Sequence, residues 1–282
     1  MVLMEEMTSR EFDLYRDENT VVMLPIGALE EHGDHLPLST DTYQPVHIVQ
    51  GVVKKLEIMK KQDVVKKQEI MKKLEVKNNQ EGGKVDGGQD QEKGNEAVKV
   101  IVAPTLGYGM IQSTLKFPGS ITLSFDTLRS LIFEVLKGFG DNDLRNIVVI
   151  SGHAGRSHMM AIRLAAHELL KLEGYDHLKI IVLSDYDIAY DQLGKEFPST
   201  DGHGGELETS RILAIRPDLV KGKGVPTELV LPPYRIVANP QDHFPSGIWG
   251  DPTPATAEKG KMVNDRIVNE LSQLIVDMVQ ED

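Results

Sequence analysis

The sequence predicts an α/β fold, doubly wound around a mostly parallel sheet. Three observations support this fold class: short runs of β-branched residues, helix-like spacing of apolar residues between them, and polar, glycine-flanked loops directly after the runs. Runs that are apolar without alternation suit strands buried on both faces of a parallel sheet. Strands of this kind that alternate with helices are typical of a doubly wound α/β layer.

The predicted strands and helices follow one another along the chain. The strands are 20–26, 98–103, 146–151 and 178–184, and the helices are 125–139, 157–172 and 255–279. In the second helix the residues expected to face the core recur at helical spacing, and they are Met160, Leu164, Ala165 and Leu169. Folds of this class bind ligands in the loops beyond the carboxyl ends of their strands, so these loops are where we look for a site.

Composition narrows the class of protein. The 282 residues carry a net charge of −12, which argues against binding to nucleic acid because phosphate backbones would be repelled. A small anionic substrate in a local basic pocket remains compatible with that charge. The absence of cysteine excludes disulfides, thiolate metal sites and a cysteine nucleophile. Residues 1–19 lack the apolar core of a signal peptide, and no run is long enough for a membrane helix, so we expect a soluble cytoplasmic protein with no membrane partner.

Residues 54–97 interrupt the alternation of strands and helices. KKLEIMKKQ (54–62) is repeated imperfectly as KKQEIMKKL (66–74), and a Gly-, Gln- and Asp-rich stretch follows. A solvated helical extension with a flexible return linker is the favoured interpretation, and an interaction arm for an anionic partner is the alternative. We therefore predict a single domain over residues 1–282, with an insertion at about 54–97.

A dense group of titratable side chains follows the first predicted strand. Within the twelve residues 30–41, in a loop bounded by Gly and Pro, lie Glu30, Glu31, His32, Asp34, His35 and Asp41. Oxygen and nitrogen donors without sulfur suit zinc, manganese or ferrous iron. Two neighbouring metals also need a bridging carboxylate, for which Asp41 is a candidate. A polar loop held by hydrogen bonds, without metal, is the alternative.

Two more polar clusters lie further along the chain. His153 stands in a glycine-flanked turn after the third predicted strand, and the helix that begins near Arg156 presents free N–H groups that favour anions. A lone histidine there would usually be structural, but its matching position at a second strand end favours a metal. In the third cluster, 201–210, His203 is a candidate general acid/base, and Glu206 or Glu208 could complete a metal shell or orient a water. An ordinary acidic first turn of a helix is the alternative for that segment.

Together these segments resemble the creatininase (creatinine amidohydrolase) family. The resemblance rests on PIGALEEHGDHLPLSTD (25–41), SGHAG (151–155) and HGGELETS (203–210), and it extends to LGYGM (106–110) and FPGSITLSF (117–125). It covers nearly the whole chain apart from the insertion. It implies a three-layer α/β/α sandwich with a mostly parallel sheet, assembled as a homo-oligomer, usually a hexamer.

The resemblance also implies a site with two divalent metal ions, Fe(II) or zinc, with manganese possible by the same ligand chemistry. The implied metal ligands are Glu30, His32, Asp41 and His153. Glu30 and His153 would hold one ion and His32 the other, with Asp41 as the bridge. The general acid/base of the family maps onto His203. The glutamate of its Glu-Thr-Ser signature maps onto Glu208, which we predict to act with His203 in catalysis, whereas Glu206 falls on a position that varies among relatives.

The chain departs from creatininase itself directly after His153. Creatininase has a Tyr and a Glu there, of which the Tyr touches substrate and the Glu completes the second metal shell, whereas this chain has Ala154 and Gly155. The change argues against creatinine as the substrate and leaves Glu206 or Glu208 to complete that shell. Arg156 instead predicts an anionic, nucleotide-like small molecule, because a guanidinium grips phosphate with two parallel hydrogen bonds. Pairing of Arg156 with a neighbouring acid is the alternative.

An anionic amide substrate points to one branch of the family, the archaeal formylaminopyrimidine nucleotide deformylase of flavin and deazaflavin biosynthesis, which releases formate with ferrous iron. We therefore predict a metal-dependent amidohydrolase of this formamide-cleaving kind. Hydrolysis of a lactam or of a peptide, as in mycofactocin maturation, is the alternative within the family. A non-catalytic metal-binding scaffold that works through its Lys-rich insertion is the alternative from another class.

Overall fold

A five-stranded parallel sheet forms the centre of the structure, a computed structural model that describes residues 1–81, 98–228, 232 and 234–281. The strands are β1 (Val2–Leu3), β2 (Thr20–Ile26), β3 (Lys99–Val102), β4 (Asn146–Ser151) and β5 (Lys179–Ser184). They lie in the order β1-β3-β2-β4-β5, and every neighbouring pair is parallel. The long central strands β2 and β4 therefore pair on both sides.

Helices cover both faces of this sheet. They are α1 (Ser9–Tyr15), α2 (Thr40–Glu81), α3 (Phe125–Asp141), α4 (Arg156–Leu169), α5 (Tyr186–Ala189), α6 (Glu206–Ile215) and α7 (Ala257–Gln280). Short 3-10 segments add Met4–Glu6, Tyr190–Gln192, Pro217–Leu219 and Pro240–His243. Within the described ranges, no helix combines the length and the apolar character that a bilayer span requires.

The core is split into two by the sheet. Val21 and Met23 of β2 pack with residues of α2 and α7, whereas Val22 and Leu24 pack with residues of α3 and α4. All seven residues of β2 are buried, as expected for a strand covered on both faces. The three-layer α/β/α sandwich predicted from the sequence is confirmed.

Strand and helix positions agree closely with the prediction, but the buried face of α4 was predicted wrongly in part. Met160 is 62% exposed and Leu164 is 37% exposed. Met159 and Ile162, one and two positions away from them, are buried instead. Several apolar residues occupy each turn of this helix, so the pattern fits more than one choice of face.

Helix α2 is 42 residues long and joins the core to the predicted insertion. Ile48, Val52 and Leu56 are buried against the sheet and α7, whereas Ile58 and Val64 are about half exposed. The first part of the segment 54–97 therefore continues a core helix without a break. Residues 82–97 lie outside the described residues, so a single domain with an insertion stays a prediction.

The carboxyl ends of β2 and β4 lie beside the start of α2. A Cβ atom added at Gly152, just after β4, would lie only 2.1 Å from the backbone oxygen of Asp41. Only glycine leaves room for this approach, because ordinary Cβ contacts are much longer. The loop after β4 and the first turn of α2 are thereby brought into direct contact at one edge of the sheet.

Replacement of Gly260 by alanine should make the chain easier to unfold, because α7 contacts the backbone of α6 at this residue. The new Cβ would lie 1.8 Å from the Ser210 backbone oxygen. We expect a loss of about 2–3 kcal/mol in the free energy of unfolding, the upper part of the range for overpacking. Gly138→Ala is the matched control in α3, where a Cβ meets nothing within 4 Å. It should gain about 0.5–1 kcal/mol, the helix preference of alanine over glycine. Urea denaturation measures both, and equal effects of the two changes would contradict the close contact between α6 and α7.

Candidate metal centre

Acids and imidazoles from four parts of the chain meet at the carboxyl edge of the sheet. Glu30 and His32 lie in the loop after β2, Asp41 lies in the first turn of α2, and His153 follows β4. Glu208 is added from the first turn of α6. His153 is 12% exposed at its side chain, and the side chains of the other four are 0–6% exposed.

Glu30, Asp41 and His153 form the first group. His153 Nδ1 lies 2.9 Å from Glu30 Oε2 and 3.1 Å from Asp41 Oδ2. Both carboxylate oxygens are buried, and neither has a hydrogen-bond partner among the described residues. Buried carboxylate oxygens are rarely left unpaired, so their convergence on one imidazole nitrogen fits a cation between them.

His32, Asp41 and Glu208 form the second group. His32 Nε2 lies 3.1 Å from Asp41 Oδ1 and 3.6 Å from Glu208 Oε1. His32 Nδ1 lies 3.0 Å from the backbone oxygen of Glu30, which can only accept, so Nδ1 carries the proton. In the neutral ring the lone pair of Nε2 therefore faces the two carboxylates, which is the arrangement of a metal-binding histidine.

Asp41 belongs to both groups. Its Oδ1 faces His32 and its Oδ2 faces His153, so the two oxygens of one carboxylate point toward different imidazoles. In each group the potential ligand atoms lie within 4.8 Å of one another. This is the geometry required of a bridging carboxylate.

The electrostatics of the centre match a site that exchanges protons for cations. Burial lowers the pKa of His153, but the carboxylates of Glu30 and Asp41 outweigh it and raise that pKa well above its usual range. The pKa of His32 is raised in the same way, by Glu208 and Asp41 against burial. Burial raises the pKa of Glu30, but His153 and the neighbouring imidazoles outweigh burial and hold this pKa below its usual range. Glu30 and Glu208 thus keep their charge, and cations can replace the protons on the imidazoles.

The structure distinguishes the two glutamates that the sequence left open. Glu206 pairs with Lys259 on α7 and turns away from the centre. Glu208 faces His32, and its Oε2 accepts a hydrogen bond of 2.7 Å from the Gly204 N–H. Its carboxylate lies within ligand distance of His32 and Asp41, and its roles in metal binding and in catalysis stay predictions.

Glu208→Gln should reduce metal binding at one of two positions, because an amide oxygen lacks the charge of a carboxylate. We expect a loss in affinity of at least roughly 10-fold for that ion, the lower end of what changes around bound metals produce. Glu206→Gln is the matched control on the same helix turn. It should leave both affinities intact while lowering stability through Lys259. Titration of the metal-free chain with zinc, followed by calorimetry, gives both values. Equal losses in the two variants would remove Glu208 from the set of ligands.

His203 lies against the centre between two rings. Its ring centroid is 4.2 Å from that of His32 and 5.3 Å from that of Trp249. His203 Nε2 lies 2.7 Å from the backbone oxygen of Glu31, so Nε2 is the donor and Nδ1 is left for proton exchange. Burial and His32 lower the pKa of His203, but the carboxylates of Glu30, Glu31 and Glu208 outweigh them and raise it. His203 also forms a third group with Glu30 and His32, whose potential ligand atoms lie within 4.8 Å of one another. Any test of its role in proton transfer therefore has to measure metal content as well.

Arg156 is the first residue of α4, three positions after His153. Its side chain is exposed and, among the residues that the structure describes, it makes no ion pair and no hydrogen bond. The alternative that Arg156 pairs with a neighbouring acid therefore has no support in this conformation. Gly155 before it offers no side chain to cap the helix. The cation and the free N–H groups thus stand together near the centre.

Three residues of the site were missed in the sequence. Thr114, fully buried, donates its hydroxyl to Glu30 Oε1. Gln44 and Tyr186, also buried, both reach Glu208. Tyr186 had one signal that could have revealed it, since it follows the carboxyl end of the predicted strand 178–184. Thr114 lies between the two segments 106–110 and 117–125 and looks ordinary by itself.

Comparison with known proteins agrees with this geometry. The profile of the family described as Creatininase: Creatinine amidohydrolase matches residues 5–275. This chain belongs to the creatininase family. It is 28% identical over 257 residues to the mycofactocin precursor peptide peptidase of Mycolicibacterium smegmatis, covering 88% of this chain and 81% of that protein. It is 26% identical over 299 residues to the creatinine amidohydrolase of Pseudomonas putida, covering 100% and 97%.

Solved members of the creatininase family share the fold. A crystal structure of creatinine amidohydrolase superposes with a TM-score of 0.76 at 24% identity and covers 100% of this chain and 99% of its own. Two further creatininase structures, each with a TM-score of 0.74, are described as a manganese form and as a Zn–Zn type. The family match supports the amidohydrolase class predicted from the sequence, and the clustered ligand atoms of the centre support a divalent metal.

Proposed function

We propose that this creatininase-family hydrolase releases formate from a formylaminopyrimidine ribonucleotide monophosphate, using two divalent ions. The observation that carries the two-metal centre is Asp41, whose oxygens face His32 and His153 separately. The substrate class rests on Arg156, an exposed cation with no acidic partner among the described residues. Iron is our proposed native metal, with zinc or manganese able to occupy the same oxygen and nitrogen ligands.

The chemistry divides between the ions and the side chains. Bound divalent cations would polarise the amide carbonyl and lower the pKa of the attacking water. Glu30, His32, Asp41, His153 and Glu208 would hold them. Hydrolysis adds the oxygen of water to the acyl carbon, and the C–N bond breaks only if the nitrogen receives a proton. His203 Nδ1 is available to deliver that proton, since Nε2 is fixed on the Glu31 carbonyl.

The N-terminus of α4 supports an anionic substrate. Helix N-termini attract anions through unpaired N–H groups, and Arg156 adds a full charge at the same place. Ser157 donates its hydroxyl to Gln112 over 2.8 Å, which ties the helix start to the loop before α3. A phosphate bound at Arg156 would contact the chain only three residues after His153. The acyl group could then reach the centre while the phosphate stays outside it.

The test compares a nucleotide with its nucleoside. The anaerobically purified chain is incubated with the formylaminopyrimidine nucleotide or with the same compound lacking phosphate, and formate is measured. We expect formate release, with Arg156→Gln raising KM for the nucleotide roughly 10- to 100-fold, as for a lost charge-assisted hydrogen bond of 1.5–3 kcal/mol. KM for the nucleoside should not change. Arg163→Gln is the control, since Arg163 lies on the same helix and pairs with Asp187. Absence of formate from both compounds would contradict the proposal.

Peptide hydrolysis is the second candidate, because one relative is a peptide peptidase at 28% identity. Here the same centre would cleave an amide inside a peptide, and the group facing Arg156 would be a peptide carboxylate. A panel of short acidic peptides in the same assay, followed by mass spectrometry, separates the two candidates. Cleaved peptides without formate release would favour this second function.

A further inference from the structure

We infer that Tyr186, together with Gln44, positions the Glu208 carboxylate and so sets the affinity of the second metal position. This inference rests on the two-metal centre of the proposed function. Tyr186 donates its hydroxyl to Glu208 Oε1, and Gln44 Nε2 donates to the same oxygen over 3.3 Å. Glu208 Oε1 is also the atom that lies 3.6 Å from His32 Nε2.

Three donors hold the carboxylate in a single orientation. Gly204 N–H holds Oε2, while Tyr186 and Gln44 hold Oε1, so both oxygens have fixed donors before any cation arrives. A carboxylate has about four lone-pair sites, of which Gly204, Tyr186 and Gln44 take three, so one remains for a cation. A ligand fixed in advance loses less conformational entropy when the ion binds.

Gln44 and Tyr186 are themselves tied to the centre. Gln44 lies three residues after Asp41, on the same face of α2, and is fully buried. Its Oε1 lies 2.9 Å from the Tyr186 hydroxyl. The hydroxyl has one proton, and the charged Glu208 is the stronger acceptor for it. One side-chain network therefore joins Gln44, one turn after the bridging residue on α2, to the ligand on α6.

A buried ion pair fixes the Tyr186 ring from its other side. The guanidinium of Arg211 lies 5.0 Å from the ring centroid, and Arg211 Nη2 lies 2.6 Å from Asp185 Oδ2. Both charged side chains are fully buried, which is costly unless they are paired. Arg211 lies three residues after Glu208, so α6 carries both the metal ligand and the guanidinium that packs on the ring of Tyr186. The ring cannot turn away without breaking this packing.

Tyr186→Phe tests the inference, because it removes the hydroxyl and keeps the ring over Arg211. Metal-free chain is titrated with cobalt(II), and binding is followed by visible absorption and calorimetry without any substrate. We expect the affinity for cobalt to fall roughly 10- to 100-fold, the usual effect of removing a side chain that positions a metal ligand. The loss should occur in the binding step that Glu208→Gln weakens, and the other step should not change. The absorption of cobalt at that position should change as well. If Tyr186→Phe does not fold, Gln44→Met removes the other donor to Oε1 and should weaken the same step.

Tyr190→Phe is the matched control, since the Tyr190 ring packs 5.1 Å from that of Tyr186 and no hydrogen bond joins it to Glu208 among the described contacts. It should leave both binding steps intact. Unchanged or tighter binding in Tyr186→Phe would overturn the inference, and so would an equal loss at both positions with a lower melting temperature. A chain that binds two cobalt ions but hydrolyses no amide would instead contradict the proposed function alone.

Discussion

His153→Ala should remove one of two bound ions and almost all hydrolysis. The imidazole is the only nitrogen in the group with Glu30 and Asp41, and its Nδ1 lies within 3.1 Å of both carboxylates. Without it, the position keeps two carboxylate ligands, fewer than the roughly three protein ligands that even an open zinc site has. Turnover should fall by more than roughly 100-fold, because losing a ligand should cost more than losing a residue that only positions a ligand.

Metal content per chain, measured by mass spectrometry after exhaustive dialysis, checks this result beside the activity. His167→Ala is the control, since His167 is exposed on α4 and its loss removes an imidazole without touching the centre. It should keep two ions and full activity. Two ions retained in His153→Ala would show that the group around Glu30 is not a metal position.

His203→Ala should keep both ions and lose the proton transfer. We expect kcat to fall by roughly two to four orders of magnitude, the usual contribution of a positioned acid or base. The ring lies beside His32, and the Glu31 carbonyl holds its Nε2, which leaves Nδ1 as the nitrogen that can move a proton. The loss should shrink for amides whose amine departs easily, because such amines need less help from an acid.

A series of anilides with increasingly acidic amines measures that dependence, with metal content determined on the same samples. A fall in kcat that stays the same across the series would contradict proton donation by His203. Loss of an ion in parallel with activity would instead make His203 a ligand in the third group, with Glu30 and His32.

The fold was predictable because its strands are recognisable locally. The central strands β2 and β4 are runs buried along their whole length, so the sequence needs no alternation to reveal them. The start of α2 was missed because Pro45 lies inside the helix and lacks the N–H that would bond to the Asp41 carbonyl. The exposed side of α4 was misjudged because Met159 and Met160 are chemically alike and only packing distinguishes them.

The candidate site was predictable in its acids and histidines but not in their supports. Glu30, His32 and Asp41 occur within twelve residues, and such a density is visible in one reading of the chain. Gln44 and Tyr186 are separated by 142 positions and meet only in the folded chain. No local pattern connects them, since a single buried glutamine or tyrosine is ordinary in any core. The roles predicted for the ligands remain to be tested by the variants above.

The wide separation of the ligands along the chain has a consequence for refolding. The second group joins His32 and Asp41 to Glu208, which closes a chain loop of well over a hundred residues. This closure costs conformational entropy before the contacts that offset it have formed. Parallel strands add crossovers of their own, so nearly all of the sheet must be in register before the ligands converge. After dilution from denaturant, uptake of the second ion should therefore be among the last events, later than the return of helical circular dichroism.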